Sequence, residues 1–118
     1  MAKSKAQLGA GNVEIELDGE TVVLKPSLNA CQTVSRQSGG ISAAVAAVGR
    51  FDFDTVVSVV TLGLGATGSD AKAIPEKVWR TGLTDLVGPV TKYLTIIANG
   101  GRPVEDAGGE EGEDPQKG

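Results

Sequence analysis

The chain's 118 residues leave room for one modest core, with only Phe51, Phe53, Trp79 and Tyr93 as aromatic side chains to fill it. There is no histidine, which removes the commonest general base and the commonest metal ligand, and the single Cys31 cannot form an internal disulfide. The net charge of −4 belongs to the end of the chain: residues 103–118 carry six acids against Lys117, a net of −5, so the other 102 residues sum to +1. Neither part offers the clustered basic face that nucleic-acid binding needs.

The opening MAKSKAQLGAG is basic and polar, lacks the apolar stretch of a signal peptide, and is expected to be a flexible N-terminus over 1–11. No apolar run reaches the roughly 18 residues of a membrane span. A soluble intracellular protein without a membrane partner is expected.

Val13, Ile15 and Leu17 alternate with Glu14 and Glu16, the period of a half-buried strand. Asp18-Gly19 supplies the two positive-φ residues of a type I′ turn. A two-residue loop then sets Leu17 opposite Glu20, Ile15 opposite Val22 and Val13 opposite Leu24, leaving one apolar face that needs covering. Pro26 stops the second strand and Ser27 is a natural N-cap. Leu28, Cys31 and Val34 recur at helical spacing, predicting a helix over 27–38 that ends at Gly39-Gly40. In it Cys31 serves as a small core residue. Ile41, Val45 and Val48 predict a short alanine-rich helix up to Gly49.

The stretch FDFDTVVSVVTLGLGATG, Phe51–Gly68, holds the densest apolar run. Asp52 or Asp54 can cap a helix, and Phe53, Val57, Val60 and Leu64 then share its inward face, widened by Val56 and Val59. The β-branched content favours a strand, but twelve residues exceed an ordinary strand, so a central helix over 53–64 is preferred. Thr67–Ala73 reads as a loop, with Pro75 in the first turn of a fourth helix carrying Val78, Trp79 and Leu83 inward. Gly82 marks a break. A last helix at about 84–99 bears the stripe Leu86, Val90, Leu94 and Ile97, with Tyr93 beside it; Pro89 either kinks it or marks its start. Asn99-Gly100-Gly101 ends it, and the glycine- and acid-rich 103–118 is expected to be a disordered tail.

The spacing Gly63-x-Gly65-x-x-Gly68 matches a dinucleotide-binding fingerprint, which works only with a strand before it and a helix directly after it. The strand is doubtful, and SDAKAIP with its proline is unsuited to that helix, so a plain loop is expected. No pair of carboxylates is placed by spacing in a common pocket, and Glu14 and Glu16 read as a solvated strand face. No cofactor, metal or enzymatic activity is expected. Candidate partner-binding residues are the aromatics Phe51, Phe53, Trp79 and Tyr93, because aromatics dominate interface hot spots. In so aromatic-poor a chain Trp79 is nevertheless expected as a core plug, with Tyr93 balanced between core and surface.

The run ELDGETVVLKPSLNA resembles the opening of phage tail assembly chaperones, in the branch found in siphophages and gene transfer agents. VWRTGLTDL and LTIIANGG resemble the same family, so the likeness spans about Val13 to Gly101. It implies a non-enzymatic chaperone in the cytoplasm of the host or producing bacterium. Such proteins bind the long, aggregation-prone tape measure protein, deliver it to the polymerising tail tube protein, and are absent from the mature virion. It also implies that an end like 103–118 could be a junction for a frameshifted longer product. The alternative is a structural virion protein, a minor tail or connector subunit pairing through its hairpin edge; homo-oligomerisation is open in both.

The expected architecture is thus α+β: an N-terminal β-hairpin and a small bundle of four to five helices in one domain over 12–102, then the acidic tail.

Overall fold

The computed structural model describes residues 11–103; the expectations for the N-terminus and for the acidic tail lie outside the described residues. The fold is α+β. Strands β1 (Val13–Leu17) and β2 (Glu20–Leu24) form an antiparallel hairpin, followed by α1 (Leu28–Ser38), α2 (Ile41–Gly49), α3 (Phe53–Leu64), α4 (Gly68–Thr81) and α5 (Leu83–Ala98).

The hairpin has the predicted register, Val13 opposite Leu24, Ile15 opposite Val22 and Leu17 opposite Glu20. Asp18 and Gly19 turn it with φ of 53° and 82°. Val13, Ile15, Leu17 and Leu24 are buried, while Glu14 and Glu16 are exposed. Period-2 alternation has therefore become one covered face and one wet face.

Two helices make the centre. α3 packs on β2, α5 packs on β1, and each touches every other helix. The base of the hairpin is pinned to them. Lys25 donates its N–H to the Gly63 carbonyl at 2.8 Å, and Tyr93 donates its hydroxyl to the Lys25 carbonyl at 2.8 Å. Gly63 is needed where α3 crosses β2, because a Cβ there would lie 2.9 Å from the Leu24 Cβ.

α3 is a helix despite its valines, since burial of one face overrides a small difference in intrinsic propensity. Its inward face is rotated from the predicted one. Val56, Val59, Val60 and Gly63 are buried, whereas Phe53, Val57 and Leu64 are only partly covered. The same correction applies to α1, where Ala30 and Val34 are buried, Cys31 is half-buried and Leu28 is 74% exposed. α2 buries Ala44, Ala47 and Val48, with Ile41 and Val45 at its edge. In each case small residues take the closest approach.

The predicted loop at 67–73 is also corrected. α4 begins at Gly68, and Pro75 lies inside it rather than in its first turn. The Thr67 carbonyl accepts from Asp70 and Ala71 N–H at 3.1 and 3.3 Å, opening a helix two turns earlier than expected. Asp70 suits the positive end, Ala71 and Ala73 are good helix formers, and Ile74 and Val78 bury the inner side. Pro75 sits on the outer side, where its one missing N–H is tolerated. Pro89 lies inside α5, which starts at Leu83, so it does not mark the start of that helix. Leu86, Val90, Leu94 and Ile97 are buried as predicted, together with Tyr93 and Ile96.

Candidate partner-binding surface

Four helices end with one capping pattern, in which a backbone N–H just past the helix bonds back to a carbonyl five positions earlier. In α1 it is Gly40 to Ser35 at 2.8 Å, in α3 Ala66 to Thr61 at 3.1 Å, and in α5 Gly101 to Ile96 at 2.9 Å. In α2 it is Asp52 to Ala47 at 3.0 Å. The pattern requires a left-handed residue just before that donor. Gly39, Gly65 and Gly100 supply it, with φ of 83°, 67° and 72°. At the end of α2 the residue is Phe51, with φ of 64°. A bulky side chain in that region costs about 1 kcal/mol or more relative to glycine.

The ring held there is half exposed, at 48%. Phe51 thus combines a strained backbone with apolar surface left in water, at a position where glycine serves three sister helices. Phe53, two residues on, opens α3 behind the Asp52 cap, whose carboxylate accepts from Thr55 N–H at 3.1 Å, and packs partly on the core. It is a flank of the surface rather than its tip.

Of the remaining two aromatics, the one expected inside is outside, and the one balanced between core and surface is inside. Trp79, expected as a core plug, is 74% exposed on the outer side of α4. The inner positions there belong to Ile74 and Val78, and Trp79 falls outside that stripe. Tyr93, a candidate partner-binding residue, is fully buried and hydrogen-bonded to Lys25, so it is a structural residue. Burial pushes its phenol up from 10 to about 12, with a smaller contribution from Cys31.

Leu28 was missed as a surface residue by pattern reasoning. It is the first residue of α1, and with Pro26, Cys31, Ile97, Gly100 and Gly101 it lines a groove of about 460 Å³. The signal for it lay in the alternative stripe Ala30–Val34, which runs through a small residue. Leu28, Phe51 and Trp79 are the large hydrophobic side chains that stand exposed among the described residues.

The glycine spacing resolves into separate packing tasks. Gly63 is inside α3, Gly65 caps it, and Gly68 starts α4 with φ of 58°. A helix does follow Gly68, contrary to expectation, but the segment before Gly63 is a helix where the fingerprint needs a strand. Among the described residues no three His, Cys, Asp or Glu side chains are grouped to hold a metal ion, and no helix is long and apolar enough to cross a membrane.

The chain matches no known protein-family model, no curated protein and no solved structure.

Proposed function

We propose that the protein is a non-enzymatic tail assembly chaperone that holds the apolar tape measure protein soluble in the bacterial cytoplasm. The observation that carries this reading is Phe51, a half-exposed phenylalanine kept in a left-handed conformation that favours glycine. Strain of this kind persists where it serves function, and an aromatic ring aimed at water serves binding. Trp79 and Leu28 add exposed apolar area on other elements, a distribution suited to a long client that touches several faces. The family resemblance of the hairpin, of Val78–Leu86 and of Leu94–Gly101 supplies the identity of the client.

Co-expression with a phage-type tape measure protein tests the reading. The client is expected to move into the soluble fraction and to co-purify with the chain, and less so with Phe51→Gly or Trp79→Ala. If the two neither co-purify nor alter each other's solubility, the proposal fails. Abundant chain in purified particles, measured by mass spectrometry, would instead establish a structural subunit.

A further inference from the structure

We infer that the free edge of β1 is a docking site for an extended, lysine- or arginine-bearing segment of a partner protein, which adds to the hairpin as a third strand. In a two-residue hairpin the residues flanking the turn form a hydrogen-bonded pair, so Leu17, Ile15 and Val13 bond across to β2. The N–H and C=O groups of Glu14 and Glu16 therefore point away from β2, and no backbone or side-chain group among the described residues meets them. On the opposite edge Thr21 and Val23 point outward in the same way, and Lys25 N–H, past the end of β2, is closed by the Gly63 carbonyl at 2.8 Å.

Space for a strand lies beside the open edge. Glu14, Ile15, Glu16, Asp18, Arg80, Asp85, Leu86 and Pro89 border a groove of about 570 Å³ between β1 and the helices α4 and α5. Pro89 has no N–H for the Asp85 carbonyl one turn before it, so the regular helical bond is missing there. Arg80 is already shared between Asp18, at 3.2 Å, and Glu76.

The charges choose among strands. The outward side chains of β1 are Glu14 and Glu16, and Asp85 faces them across the groove. A second copy pairing antiparallel through β1 would set glutamate against glutamate, which is unfavourable across strands and a known guard against edge-to-edge association. A strand that alternates lysine or arginine with small apolar residues meets both needs. Its cations lie beside Glu14 and Glu16, its apolar side chains lie toward Leu86 and Pro89, and its backbone completes the ladder.

The test is an NMR titration of the full chain with short synthetic peptides alternating lysine with valine. Protection from hydrogen exchange is expected to appear at the Glu14 and Glu16 amides, while Val13 and Ile15, already bonded, report an intact hairpin. N-methylating the peptide residues that face β1 should abolish binding, and methylating the alternate set should leave it. Replacing both acids, Glu14→Gln with Glu16→Gln, should weaken binding about tenfold, since each exposed pair contributes a severalfold factor at most. Equal binding of a glutamate–valine peptide, or shifts confined to other surfaces, overturns the inference. So does protection of Glu14 and Glu16 in the free chain. If it is independent of concentration, residues 1–10 or 104–118 hold the edge; if it grows with concentration, a second copy does. A failed titration leaves the client co-expression result untouched, and the reverse holds too.

Discussion

The Tyr93 hydroxyl donates to the carbonyl of Lys25 across 2.8 Å, joining the middle of α5 to the chain just past β2. The same peptide unit region is held from the other side by Gly63, so the hairpin is locked to both central helices at one residue. Tyr93→Phe keeps the ring packing but strands the carbonyl. It is expected to cost about 1–2 kcal/mol in urea unfolding with little change in the slope.

Tyr93 is the chain's one tyrosine, so its ionisation can be followed directly by ultraviolet absorbance. Its folded pKa of about 12 lies above the unfolded value of 10. The neutral phenol is thus favoured by folding: its contribution is fully present below pH 10 and is lost as pH rises from 10 toward 12. The native chain should show tyrosinate appearing late, near pH 12 or with unfolding, whereas in denaturant it should appear near pH 10.

Two helical glycines should respond in opposite senses to alanine. At Gly63 the new methyl would lie 2.9 Å from the Leu24 Cβ and 3.0 Å from its Cδ2, forcing α3 away from β2. Gly63→Ala is expected to destabilise by about 1–3 kcal/mol in spite of alanine's better helix propensity. At Gly49, the exposed last residue of α2, a Cβ meets nothing within 4 Å. Gly49→Ala is expected to stabilise by about 0.5 kcal/mol. Thermal melts of the pair, side by side, check both signs.

The contrast between those glycines also marks what was legible in the sequence. The hairpin was readable because alternation and Asp18-Gly19 each have one physical meaning. The last helix was readable because Leu86, Val90, Leu94 and Ile97 form an unbroken large-residue stripe. The inward faces of α1 and α3 were not, because their closest contacts are made by Ala30 and Gly63, which hydrophobic periodicity does not score. The start of α4 was hidden by Pro75, whose local signature suits a first turn as well as an exposed interior position. Of the candidate binding residues, Phe51 was legible as an aromatic near a helix boundary, but its left-handed backbone was not. The scarcity of aromatics sent Trp79 inward and left Tyr93 open, whereas Ile74 and Val78 take the inner side of α4 and the Lys25 carbonyl receives the buried Tyr93 hydroxyl.

Trp79 is therefore a surface residue in energetic terms. Trp79→Ala should change stability by less than about 0.5 kcal/mol, far from the roughly 3–5 kcal/mol of a core tryptophan. Its fluorescence, the only indole signal in the chain, should be quenched by acrylamide nearly as well in the folded as in the unfolded state. Addition of the tape measure client should reduce that quenching. Full quenching in the presence of a bound client would place the contact elsewhere.

Phe51 offers the sharpest separation of folding from binding. Phe51→Ala and Phe51→Gly both remove the ring, so the difference between them isolates the backbone. Because φ is 64°, glycine should be the more stable variant by about 1 kcal/mol, in keeping with Gly39, Gly65 and Gly100 at the sister helix ends. If the ring is kept for binding, both variants should lose client solubilisation to the same degree, whatever their stability. A loss that instead tracked the melting temperatures, larger for alanine than for glycine, would make Phe51 a folding residue and remove the observation on which the chaperone reading rests.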